Sequence, residues 1–162
     1  MTFPNLFSKK YFQKDLDNSK IGITFVESNQ TNPITMKIVL TPQESEQMFF
    51  DSMCNVFGTG YFDGYGLELT YDEKDYKESK KKLENPCYED VLLQILKDGK
   101  KLTLVDIEYD GEYTRSITLK DVHKKVNKTP FRHLSDMINE CGDVTTSDVV
   151  LQTVFFDEIV FG

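Results

Sequence analysis

The last eighteen residues, Thr145 to Gly162, constrain this chain more than any other stretch. Nine of them are Val, Leu, Ile or Phe, and wound as a helix these fall on nearly every side. A helix apolar almost all round is buried all round, and each large side chain withdrawn from water contributes roughly 1.5–3 kcal/mol. The segment therefore predicts a central C-terminal helix with other elements wrapped over it. A chain of 162 residues can bury such a helix as one domain without disulfide or metal staples.

The elements around it can be read in order. Residues 1–20 mix Phe3, Phe7 and Tyr11, spaced on one helical face, with lysines and aspartates. They predict an arm or helix that packs on its own domain or docks on a second copy. Residues 21–162 form the domain proper. Ile21, Ile23 and Phe25 alternate with small or polar residues, as do Ile34, Met36, Ile38 and Leu40. Period-two alternation predicts two half-buried strands, joined as a hairpin. Thr41-Pro42-Gln43-Glu44 is a capping box with proline at the first helical position. The helix it opens carries Phe49, Phe50, Met53, Cys54 and Phe57 as an apolar stripe, with Gly58 as a left-handed cap.

Leu67, Leu69 and Tyr71 predict a third strand, and the charged run Asp72 to Glu84 an exposed loop or solvated helical turn. Tyr88, Val91, Leu92, Ile95 and Leu96 define an amphipathic helix closed by Gly99. Two β runs, Leu102 to Tyr109 and Tyr113 to Leu119, meet at Asp110-Gly111, a turn pair suited to two positive φ angles. Apolar positions change face at Leu104–Val105, which predicts a bulge or a strand covered on both sides. Thr118 to Asp121 resembles a second capping box, Thr129-Pro130 starts a further helix, and Thr145 to Asp148 caps the last. Short links between strands favour antiparallel pairing. The fold class is α+β, with an antiparallel sheet, helices packed on one face and a buried C-terminal helix.

Charge excludes some functions. The net charge of −8 opposes a general nucleic-acid binder and docking on anionic membranes. Arg132 is the last Lys or Arg, and six acids follow it: Asp136, Glu140, Asp143, Asp148, Asp157 and Glu158. They can form a negative surface or a solvated rim. Cys54, Cys87 and Cys141 stand far apart, two of them in helical patterns where cysteine serves as a small apolar residue. That usage, with no apolar leader and no membrane-length run, points to a soluble cytoplasmic protein.

No assembled catalytic set is visible, and no cofactor or metal is expected. Gly58 to Gly66 holds four glycines but follows a helix and opens a strand, the reverse of a phosphate loop. Tyr61 and Phe62 within it pack inward or line a binding surface. Asp106 opens a calcium-like spacing whose final ligand position is Ile117, which cannot coordinate. Partly buried, Asp106 would need a partner, and Arg115 on the facing strand is the candidate. His123 and His133 read as ordinary surface or cap residues. Asp148 and Gln152, four apart, either cap the last helix and bond nearby backbone or form a small polar site. Tyr61, Phe62, Asp106, Asp148 and Gln152 are thus the candidate binding residues.

Asp148-x-x-x-Gln152-x-x-x-Phe156-x-Glu158-Ile159-Val160-Phe161-Gly162 resembles the ending of a family of small proteins encoded by tailed bacteriophages and prophages. That family also has a helix leading into a Gly-rich, Tyr-Trp-containing turn, here Gly58-Thr59-Gly60-Tyr61-Phe62. A helix ending near Asp98-Gly99 and a strand containing Asp106 are similar too. Phe62 stands where tryptophan is usual, Asp157 where glycine is usual, and Phe57 at the turn's first glycine. The resemblance covers roughly Met48 to Gly162. It implies a phage or prophage origin and carries no activity. The expected role is a non-enzymatic accessory protein that binds a host or defence protein through an acidic face. The alternatives are a small-ligand binder or enzyme, with its site near residues 58–66 and the start of the last helix, and a virion component joined through the N-terminal arm.

Overall fold

The computed structural model describes residues 22–26 and 35–162, with side chains from residue 38 onward. The proposed arm at 1–20 and the polar loop after the first strand lie outside the described residues. β1 (Gly22–Val26) and β2 (Thr35–Val39) form the expected antiparallel hairpin. At its end Ile38 and Leu40 are buried while Val39 is exposed, the alternation that the sequence shows.

Thr41 then opens α1 (Pro42–Phe57) with the full capping box. Its amide donates to Glu44 Oε2 at 2.6 Å, and the Glu44 amide donates back to Thr41 Oγ1 at 3.3 Å. The buried face differs from the predicted stripe. It consists of Ser45, Met48, Phe49, Ser52, Met53 and Val56, and Cys54 is exposed. Two serines lie on that buried face, the Ser52 hydroxyl donating to the Met48 carbonyl, while the larger Phe50 and Phe57 are only half-buried. Cys87 and Cys141 are exposed as well, so none of the cysteines fills the core. Gly58 is right-handed at φ −61°, not the left-handed cap. The reversal falls at Gly60 (φ +65°), and Thr59 Oγ1 first satisfies the carbonyls of Asn55 and Val56.

A 3-10 turn over Tyr61–Tyr65 leads into β3 (Leu67–Thr70). The charged run is helical, α2 (Glu73–Lys80), because Asp72 accepts from the amides of Lys74 and Asp75. α3 (Tyr88–Lys97) follows, with Val91, Leu92, Ile95 and Leu96 buried as the amphipathic spacing requires. β4 (Leu102–Asp106) and β5 (Arg115–Ile117) complete a three-stranded antiparallel sheet in the order β3-β4-β5. The register from Leu67↔Asp106 to Thr70↔Thr103 is continuous, so there is no bulge at Leu104–Val105. The strand simply stops at Asp106, and Ile107 and Tyr109 belong to a loop. Asp110 (φ +52°) and Gly111 (φ +81°) supply the positive-φ pair read from the sequence.

Leu67, Leu102, Leu104 and Ile117 lie buried on one sheet face, while Glu68 and Ser116 on the other are exposed. Helices cover the buried face: α3 lies on β4, and α4 (Leu119–Lys125) on β5. α5 (Phe131–Ile138) and α6 (Val144–Phe156) close the domain. α6 packs against α1, α4, α5 and β5, and every residue from Thr146 to Phe156 is buried. This is a single α+β domain built round its C-terminal helix. None of its described helices is long and apolar enough to cross a membrane.

Candidate functional site

α6 begins earlier and ends earlier than its sequence suggests. Asp143, not Thr145 to Asp148, is the cap, accepting from the Thr146 amide at 2.8 Å. The added turn buries Thr146, Ser147 and Asp148. At the other end Asp157 takes a left-handed conformation (φ +66°), and Glu158 to Gly162 leave the helix.

Gln152, wholly buried, holds that tail. Its Oε1 accepts from the amides of Val160 and Phe161, both at 2.8 Å, and its Nε2 donates to the Phe161 carbonyl at 2.9 Å. The same Nε2 donates to Asp148 Oδ2 at 2.8 Å, and the Tyr65 hydroxyl donates to that oxygen at 3.0 Å. Burial pushes the Asp148 carboxyl above its ordinary value, outweighing the hydrogen bonds from Gln152 and Tyr65 that lower it. Its Oδ1 is buried with no partner among the described residues. Tyr65 is raised too, first by burial, then by its bond with Tyr61 and by the Asp148 charge.

A second centre lies on the sheet. Asp106, 5% exposed, spends its carboxylate on backbone. Oδ1 accepts from the amides of Glu108 (3.0 Å) and Tyr109 (2.7 Å), and Oδ2 from that of Tyr113 (3.1 Å). Burial opposes the charge, but these amides outweigh it and hold the carboxyl below its usual range. Arg115 is not the partner: its guanidinium donates to the carbonyls of Glu112 and Thr114. Three amides are the stronger match because they point inward from the loop that follows the strand. They fix residues 107–113 over the sheet end.

Phe161 joins the two centres. Its ring stacks on Tyr65 (centroids 4.8 Å apart), meets Tyr113 (5.1 Å) and Phe156 (5.9 Å) edge-on, and approaches Tyr109 (6.5 Å). Gly66 (φ +66°) lets the loop come this near, since a Cβ there would stand 2.5 Å from Glu108 Cγ. Of the residues singled out from sequence, Tyr61, Asp148 and Gln152 share one cluster, with Tyr61 edge-on to Tyr65 at 5.6 Å. Asp106 acts from the other side of Phe161. Phe62 is buried, 3% exposed, edge-on to Phe57 and with its ring centroid 6.0 Å from that of Tyr65. Sequence reasoning missed Tyr65 and Phe161. The four-residue spacing of Tyr61 and Tyr65 was the available signal for the first, and the second was hidden in what read as helix.

The cluster is a clamp rather than an open cleft, with Asp148 3% and Gln152 0% exposed. What it presents is a surface. Ile107 (64%), Tyr109 (49%) and Ile159 (51%) are three of the five large hydrophobic residues exposed among those described. Glu108, Asp110, Glu112 and Glu158 are exposed beside them in the chain. The other C-terminal acids are mostly engaged. Asp143 caps α6, Asp157 pairs with Lys125 (3.1 Å) and Lys128 (2.6 Å), and Asp136 lies 4.0 Å from Arg132. His123 is part of a bracket, with its Nε2 2.8 Å from Glu46 Oε1 while Lys97 reaches the other oxygen at 3.0 Å. Comparison with protein-family models, with curated proteins and with solved structures finds no match.

Proposed function

We propose that this protein is a phage- or prophage-encoded accessory protein that acts in the host cytoplasm by binding a host or defence protein, without chemistry of its own. The observation that carries the reading is the junction of loop and tail at Phe161, whose ring meets Tyr109 and Tyr113. Exposed Ile107, Tyr109 and Ile159 give it apolar anchors, and Glu108, Asp110, Glu112 and Glu158 a negative rim. Tyrosine-bearing apolar patches with polar rims are the usual anatomy of protein interfaces. Two buried carboxylates and a buried amide hold the face in shape, so little ordering entropy remains to oppose binding. The rim favours a basic partner surface, such as a nucleic-acid-binding groove. The left-handed backbone at Asp157 supports the phage resemblance, since glycine is usual there and suits that conformation without strain.

The test compares pull-downs from bacterial lysate by the wild type and by a Tyr109→Ala, Ile159→Asp variant. A protein retained by the first and lost by the second supports the reading, provided both chains melt alike. Identical recoveries would sink it. One observation favours a ligand-binding alternative: the buried Oδ1 of Asp148, which has no partner among the described residues, because perturbed buried acids gather at functional sites. A small molecule that raises the melting temperature of the wild type but not of Asp148→Asn would establish that alternative.

A further inference from the structure

β3 is an edge of its sheet, paired with β4 on one side and, among the described residues, with no strand on the other. The Ile107 amide donates to the Gly66 carbonyl at 2.9 Å, continuing the register that sets Leu67 opposite Asp106. Antiparallel ladders alternate bonded and non-bonded pairs. Counted from Gly66, Glu68 and Thr70 bond towards β4, whereas Leu67 and Leu69 direct their N–H and C=O away from it. Leu67 is covered and Leu69 half-buried, so the reachable part of the edge centres on Leu69.

A groove of about 220 Å³ runs beside this edge. Phe57, Phe62, Leu69 and Tyr88 wall it, and Asp63 and Glu68, both exposed, stand on its rim. No cation lines it among the described residues, and neither carboxylate joins an ion pair there. Aromatic walls under unneutralised carboxylates suit a group that is flat, cationic and carried on an apolar stem. Arginine fits better than lysine, because its guanidinium stacks on rings, is weakly hydrated and bonds carboxylates in a fork. A phosphate-bearing partner would meet repulsion from both acids.

We propose that the groove receives an arginine side chain from an extended segment of a protein partner, which adds to the sheet beside Leu69. Main-chain bonds at the edge would supply affinity, and the alternate side chain entering the groove would supply selectivity. The site is separate from the loop-and-tail face and does not depend on it.

The experiment titrates the full chain, followed by amide NMR, with blocked hexapeptides of alternating valine and arginine. Matched peptides carry citrulline or glutamate in place of arginine. The arginine peptide should shift the amides around Gly60, Glu68 and Leu69. Citrulline should bind more weakly and glutamate not at all. The surface variant Asp63→Asn, Glu68→Gln should lower arginine-peptide affinity about threefold to tenfold. Equal binding of all three peptides, no shifts, or shifts confined to residues 107–113 would overturn the proposal. Failure of the pull-down above would leave it standing.

Discussion

Asp148 shows how much a single residue in this fold is asked to tolerate. Its carboxyl is raised above the ordinary 3.8, so folding favours the protonated form. Whatever stability it lends is complete below the unfolded value and is lost as pH rises through the folded one. Asn keeps an oxygen for Tyr65 and Gln152 and carries no charge. Asp148→Asn should therefore be more stable than the wild type near neutral pH, with the gain shrinking towards about pH 4. Urea midpoints at both pH values check this, and a pH-independent difference would refute it. Gln152 is the opposite case, a buried amide with its hydrogen-bonding capacity largely used. Gln152→Ala strands the Val160 and Phe161 amides and the Phe161 carbonyl, and should cost about 2–4 kcal/mol, read from denaturant unfolding. Asp148 and Gln152 were legible as a pair from their spacing. Tyr65 was not, because nothing local says that a tyrosine in a glycine-rich turn will reach across to α6.

Elements were easiest to read where one residue type fixes the backbone. The Thr41 box and the amphipathic α3 stand where their residues place them, and Asp110-Gly111 has its positive-φ pair, though inside a loop over 107–114 and not as a two-residue link between long strands. Thr41→Ala should cost about 0.5–2 kcal/mol, seen as a lower melting temperature with the fold retained. Faces and ends were harder. α1 buries Ser45 and Ser52, which a hydrophobic count ignores. The cap of α6 read at Thr145 to Asp148 falls instead at Asp143, and the extra turn buries Ser147, whose hydroxyl accepts from Asn55 at 2.9 Å. α2 is tied to α3 through Asp98. Lys82 (2.7 Å), Ser79 (2.6 Å) and Gln94 (2.9 Å) surround its carboxyl and lower it to about 2. Its contribution is present above the ordinary 3.8 and disappears as pH falls towards that value of about 2. Asp98→Asn should flatten this part of the acid-unfolding curve. An unchanged curve would show that Lys82 does not hold the junction.

At the scale of the whole molecule, the C-terminal helix is the interior that its composition demands. Amide exchange should be slowest along Val149 to Phe155, which opens only when the domain does. Comparable exchange in α2 would contradict that. The architecture followed from pattern because α1, α4, α5 and β5 show α6 an apolar face and the remaining described elements pack on these, on the sheet or on one another. The candidate site did not, because it is assembled from a turn, a loop and a tail that are distant in sequence and meet at one ring.

That meeting has a consequence for the life of the protein in a cell. Glu158 to Gly162 form no regular structure, yet Phe161 is the keystone for Tyr65, Tyr109 and Tyr113. A backbone cut between Asp157 and Phe161 would part that ring from its anchor and unroof the aromatic arch.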